Sequence, residues 1–183
     1  MPSAFYDRTT DEVARDLLGA ILIRRTADGL MAGRIVEAEA YGGPEDLASH
    51  AARSATGRAR IMFGPGGRAY VYLIYGLHNC LNVVAHRPGE AGAVLLRALE
   101  PLVGVGAPTN GPARLCRALG IDRSLNGASF GGPALQLVAG PVPAEPIAIG
   151  PRIGVAYAGA WAERPCRFWL EGNRYVSVKG KSV

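Results

Sequence analysis

Glu37, Glu39 and Tyr41 stand at alternate positions in Ile35-Val36-Glu37-Ala38-Glu39-Ala40-Tyr41. Alternate residues of a strand share a face, so two carboxylates and a phenol project one way while Val36, Ala38 and Ala40 project the other. A carboxylate beside an aromatic ring can act as a general base next to a stacking platform. The same pattern also fits a solvated strand face. A second aromatic run, Tyr70-Val71-Tyr72-Leu73-Ile74-Tyr75, places Tyr70 and Tyr72 on one face, with Tyr75 on the other face or at the turn that follows. Strand tyrosines commonly just pack. At an exposed tip among basic residues, however, an aromatic side chain can wedge into a base stack.

Other chemistries find less support. The histidines, His50, His78 and His86, show neither HxH nor HxxxH spacing, which argues against a metal site. Cys80, Cys116 and Cys166 are far apart and form no CxxC pair, so no disulfide framework, zinc ribbon or iron–sulfur cluster is expected. A reduced, cytoplasmic protein is the default for such cysteine usage. Gly64-Pro65-Gly66-Gly67 lacks the Lys-Ser/Thr of a phosphate-binding loop and reads as a turn.

The 183 residues fit one domain, 1–183, with a sizeable core. No apolar run approaches the roughly 18–20 residues needed to cross a bilayer, and Met1–Arg8 does not read as a secretory signal. Net charge is +5, unevenly spread. Residues 1–50 carry five Arg against nine Asp/Glu, whereas residues 51–97 carry six Arg against Glu90 alone. That basic middle stretch is a candidate phosphate-facing surface. A solvated basic face without a ligand is the alternative.

These groups must be positioned by regular elements. Thr9 and Glu12 have capping-box spacing ahead of an apolar helix face at Val13, Ala14, Leu17 and Leu18, which Gly19 stops. Ala20–Arg24 and Leu30–Tyr41 read as strands around a turn at Thr26–Gly29. Ala69–Tyr75 and Cys80–His86 read as a hairpin with a four-residue tip, Gly76-Leu77-His78-Asn79. Ala93–Glu100 is a further strand, and Pro112–Leu119 is a short helix stopped by Gly120. Arg152–Ala156 and Arg167–Leu170 are also expected as strands. The sum is an α+β fold: a single domain, mostly an antiparallel curved β-sheet with flanking helices and a protruding β-hairpin.

Taken in order, these segments resemble the 3-methyladenine (alkyladenine) DNA glycosylases. The resemblance rests on Glu39-Ala40-Tyr41-x-Gly43-Pro44-x-Asp46-x-Ala48-x-His50, Met62-Phe63, Tyr70-Val71-Tyr72-x-x-Tyr75-Gly76 and Cys80-x-Asn82-Val83. It continues through Val94-Leu95-Leu96-Arg97-Ala98-Leu99-Glu100-Pro101, Gly111-Pro112-x-x-Leu115-Cys116 and Arg152-Ile153-Gly154, and so covers nearly the whole chain. It implies Glu39 as general base, with Arg97 and the backbone carbonyl of Ile153 helping to hold the attacking water. Tyr41 and Tyr72 would be the walls around a flipped purine, His50 would close one edge, and Leu95 would line the pocket. Asn82 would crowd the amine of normal guanine. Tyr75 would fill the gap left in the duplex, with Leu77 and His78 beside it at the DNA. Larger members carry more chain where this one has only Leu102–Asn110, a departure that bears on surface contacts or substrate preference and not on the pocket residues.

The resemblance further implies a monofunctional glycosylase of base excision repair. It would act as a monomer on double-stranded DNA carrying an alkylated purine, hypoxanthine or an etheno adduct, and leave an abasic site without a cofactor. Lysine occurs only at 179 and 181, which disfavours a Schiff-base lyase route. Two rivals remain open from the residues alone. One is a non-catalytic nucleic-acid-binding module. The other is a carbohydrate hydrolase using Glu37 and Glu39 as its pair of carboxylates.

Overall fold

The capping box at the amino end forms as its spacing requires. Thr9 accepts from the Glu12 amide, and Glu12 returns a bond to the Thr9 amide, which starts helix α1 at Thr10–Asp16. Val13, Ala14, Leu17 and Leu18 are buried, and Gly19 follows in a left-handed conformation (φ 86°). The computed structural model describes residues 1–178.

The remaining chain builds one curled antiparallel sheet in an α+β domain. Its strands are β1 (Ile21–Thr26), β2 (Gly29–Tyr41), β3 (Ala69–Ile74), β4 (His78–Val84), β5 (Ala93–Val103), β6 (Leu135–Val138), β7 (Ile147–Gly150) and β8 (Arg167–Leu170). The order β3-β4-β5-β2-β1-β6 puts the long strand β2 centrally, and β8 joins its far end and carries β7. Helix α2 (Pro112–Ala118) begins with proline at its first turn, where no N–H is missed, and ends ahead of Gly120 at φ 58°. One face of the sheet is covered by α1, α2 and the loops, and Val36, Ala38, Val71, Leu81, Val83, Val94 and Leu96 form its apolar centre.

Two sequence expectations need correction. The β3–β4 hairpin is tighter than expected, because Ile74 pairs with His78 and leaves only Tyr75-Gly76-Leu77 as the tip. Both Tyr75 (φ 54°) and Gly76 (φ 70°) are left-handed there, so the chain reverses one residue earlier than glycine placement suggested. Arg152–Ala156 is not a strand. Gly154 turns at φ 78°, and the buried Arg152 side chain binds backbone and side-chain oxygens of other segments, which bends this stretch over the site. The strand in this region is instead β7, just upstream.

The short 102–110 segment folds back along its own strand. Thr109 is buried and donates its hydroxyl to the Leu99 carbonyl, and Asn110 bridges to Ala98. Gly66 and Gly67 serve packing, not phosphate: a Cβ on Gly66 would meet the Tyr6 Cβ at 2.6 Å.

Candidate active site

Cross-strand register assembles the site. Tyr70 lies opposite Asn82, and Tyr72 opposite Cys80. Asn82 in turn lies opposite Leu95, which also pairs with Glu39, while Tyr41 pairs with Ala93. Directly opposed residues share a face, so Glu39, Tyr41, Tyr70, Tyr72, Asn82 and Leu95 converge although they span nearly sixty positions of sequence. All of them but Glu39 line a cavity of about 410 Å³, also lined by His50, Arg53, Arg58, Arg97, Ile153 and Tyr157. Its volume is in the range of small-ligand pockets and ample for one purine.

Both carboxylates of the β2 motif are completely buried, so the solvated-face alternative is wrong. They are not equivalent. Glu39 lies beneath cavity-lining Tyr41, Arg97 and Ile153. Its Oε1 accepts from the Ile153 amide at 2.8 Å and from Arg97 Nη1 at 3.1 Å, and its Oε2 accepts from the Tyr41 hydroxyl at 2.8 Å. The Ile153 N–H thus holds the carboxylate, which leaves its carbonyl, the group the resemblance assigns to the water, a separate atom of the same residue. Neither carboxylate lines the cavity itself; Glu37 is one step further removed, accepting from Arg97, Arg167 and Ser177.

Arg97 sits at a break in the pairing. The register steps from Glu37↔Ala98 to Ala38↔Leu96, which leaves Arg97 as the extra residue of β5. A bulge re-aims the side chain it carries, here to a place between the two glutamates. Burial works against the guanidinium charge, but Glu39 and Glu37 outweigh it, and the Arg97 pKa is raised. It is thus a buried cation within the site, unlike the exposed arginines of the basic stretch. Of those, Arg53 and Arg58 lie at the cavity.

The aromatic walls are held by polar bonds. Burial, and then the charge of Glu39, push the Tyr41 phenol well above its ordinary pKa, so it stays protonated and donates to the carboxylate. Arg152 stacks 4.8 Å from the centre of the Tyr41 ring, and this arginine does not line the cavity. Its guanidinium is fixed by a bidentate pair with buried Asp46 and by the Ala40 and Trp161 carbonyls. Asp46 also accepts from the Gly42 and Ala48 amides, which folds the 42–48 loop and delivers His50 to the rim. Tyr70 and Tyr72 stack with ring centres 5.2 Å apart, and His50 meets Tyr72 edge-on at 4.6 Å. His50 Nδ1 is 2.8 Å from the Tyr70 hydroxyl. Burial, reinforced by Arg58 and Arg53, lowers the His50 pKa to about 4, so the ring is neutral near pH 7. Asn82 is buried and donates Nδ2 to the Tyr70 carbonyl at 3.0 Å.

Tyr75 and Leu77 are 86% and 75% exposed, and His78 is exposed beside them. The structure therefore gathers Glu39, Tyr41, His50, Tyr72, Asn82, Leu95, Arg97 and Ile153 at the cavity, which Tyr75 of the exposed hairpin tip also lines while Leu77 and His78 do not. Sequence reading had no role for Tyr70, Arg152 or Asp46. Alternation flags Tyr70, but no local signal pairs Asp46 with an arginine over a hundred positions away. Lys179 and Lys181 lie outside the described residues. Among the described residues no helix is long and apolar enough to cross a membrane.

Comparison with known proteins gives the family. The family model described as methylpurine-DNA glycosylase matches residues 4–174. Curated relatives named "Putative 3-methyladenine DNA glycosylase" include one from Myxococcus xanthus (strain DK1622), 51% identical over 97% of this chain and 93% of its own length. Another, from Anaeromyxobacter sp. (strain Fw109-5), is 56% identical over 94% of this chain and 90% of its own. A third, from Methanocella arvoryzae (strain DSM 22066 / NBRC 105507 / MRE50), is 47% identical over 98% of this chain and 96% of its own length. The chain belongs to the methylpurine-DNA glycosylase family and is a DNA N-glycosylase, a hydrolase.

Proposed function

We propose that this enzyme flips a damaged purine out of duplex DNA and hydrolyses its N-glycosidic bond with Glu39 as general base, leaving an abasic site. The observation that carries the reading is the buried Glu39 carboxylate bonded to Tyr41, Arg97 and Ile153, three residues that line an aromatic-walled cavity of purine size. The bond to be broken is out of reach inside a stacked duplex, so the nucleotide must leave the stack at a cost of a few kcal/mol. Stacking between Tyr41 and Tyr72 offsets roughly 1–3 kcal/mol of that. Tyr75, with Leu77 and His78, fills the vacated space from the hairpin tip, and Arg53 and Arg58 face phosphates at the rim, which makes binding weaken with salt.

As the bond from sugar to purine breaks, positive charge grows at the sugar carbon. Water attacks that carbon, Glu39 takes its proton, and the electron pair of the broken bond leaves with the purine. The buried carboxylate also stabilises the growing cation, and it does so without reorganising at the moment of reaction. Arg97 and the Ile153 backbone frame the water. The substrates are alkylated purines and hypoxanthine, with etheno adducts admitted by the same stacking slot, and the active form is a monomer in base excision repair. A carbohydrate hydrolase would need two carboxylates at the substrate, and Glu37 is bonded to Arg97, Arg167 and Ser177, of which only Arg97 lines the cavity.

The test is Glu39→Gln under single-turnover conditions on duplexes carrying each lesion, with alkaline cleavage reporting release. Release should be nearly abolished while binding to an abasic-analogue duplex is retained. A variant that keeps more than about a tenth of the wild-type rate, a barrier change under about 1.4 kcal/mol, removes Glu39 as the base.

A further inference from the structure

Glu37 is a buried carboxylate for which the reaction above has no use, yet it makes more polar contacts than Glu39. Its Oε1 accepts from Arg97 Nε and Arg167 Nε, both at 2.8 Å, and from the Ser177 hydroxyl at 2.9 Å. Its Oε2 accepts from the Ser177 amide at 2.6 Å. Arg97 in turn directs Nη2 to the Ser177 hydroxyl at 3.3 Å. Only Nη1 is left for Glu39, at 3.1 Å, the longer of the two contacts Arg97 makes with carboxylates.

The geometry is informative because arginine and a carboxylate prefer a two-pronged pair, with two parallel N–H bonds to two oxygens. An Arg97 free to turn toward Glu39 would take up that fork and cover both carboxylate oxygens. The water would then lose its place beside the base. We propose that Glu37 is a positioning residue: with Ser177 it holds Arg97 by its other edge, limits it to one N–H toward Glu39, and so keeps the base open to water. This inference rests on the reading of Glu39 as general base. The two carboxylates of the β2 motif then have separate tasks, one acting on water and one restraining the cation between them. Arg167, stacked 4.4 Å from the Trp169 ring and bonded to the Val178 carbonyl, ties the same carboxylate to β8 and to the chain near Val178.

The experiment is a double-mutant cycle in single-turnover base release with Glu37→Gln and Arg97→Gln, alone and together. Glutamine keeps the shape of Glu37 but loses its hold on the guanidinium. Glu37→Gln alone should slow release ~100-fold, the scale of loss from misplacing a catalytic contact, with binding to an abasic-analogue duplex unchanged. With Arg97 already replaced, the same change should slow release less than about 3-fold, because the group it restrains is gone. Equal losses in both backgrounds overturn the proposal and leave Glu37 a structural residue. If Glu37→Gln does not fold, Ser177→Ala carries the test. It removes one restraint on each of Glu37 and Arg97 and should slow release about fivefold, and an unchanged rate overturns the proposal. Wild-type enzyme and Glu39→Gln run alongside. A wild-type enzyme inert on every lesion, or an active Glu39→Gln, refutes the proposed function instead.

Discussion

Tyr75 offers a test in which stability and activity should move in opposite directions. It is 86% exposed and holds φ 54°, a left-handed conformation that a bulky side chain resists. Replacing it with glycine removes a backbone cost of roughly 1–2 kcal/mol. Glycine gives back about 0.5–1 kcal/mol through the greater freedom of its unfolded chain. With so little of the ring buried, lost packing is worth only a few tenths of a kcal/mol, scaled from about 3 kcal/mol for complete burial of a large side chain. Tyr75→Gly should therefore leave the protein as stable or up to about 1 kcal/mol more stable, a rise in Tm of at most about 4 °C for a chain of this size. Base release should nevertheless fall roughly tenfold or more, since the proposed wedge supplies stacking of about 1–3 kcal/mol. Thermal melts and single-turnover release from a lesion duplex measure the two effects on one preparation. A Tm lowered by more than about 3 °C would show that the ring packs. An unchanged release rate would show that it does not hold the duplex open. Either result refutes the reasoning.

Three further outcomes are expected. Tyr41→Phe keeps the stacking ring but removes the 2.8 Å bond to Glu39; abasic-duplex binding should persist while the release rate changes by about fivefold, the worth of one hydrogen bond, and a parallel loss of binding would contradict this. Asn82→Ser shortens a side chain pinned to the Tyr70 carbonyl and should raise release of guanine from G·T mispairs relative to hypoxanthine, as discrimination by exclusion requires; an unchanged ratio rejects the gate. His50, with its pKa lowered to about 4 from an ordinary 6.5, binds a proton more readily unfolded than folded. Its contribution to stability is thus complete above about pH 6.5 and lost as pH falls toward 4, so His50→Gln should flatten the measured stability loss in that window, and an identical pH profile would refute the assignment.

Much of this enzyme follows from local sequence physics. The capping box at Thr9 and Glu12, the alternation of Glu37, Glu39 and Tyr41, the β3–β4 hairpin and the proline-led helix α2 are short-range features, set by backbone sterics and side-chain period. Residue spacing therefore placed the Glu39 face and the Tyr70–Tyr72 face correctly within their own strands. The motifs also carried the family resemblance, because they span the chain in order. What spacing could not supply was anything set by distant partners. The exposure of the β2 face was such a case: both glutamates are buried because arginines from β5 and β8 neutralise them. The aim of Arg97 depends on a pairing irregularity with no local signature. The strand expected at Arg152–Ala156 fails because Arg152 is drawn to Asp46, 106 positions away. Local preference determines which elements form and which way their side chains point. Only the assembled sheet decides which buried charges meet, since an unpaired charge is too costly to bury and its partner is found through the fold, not along the chain.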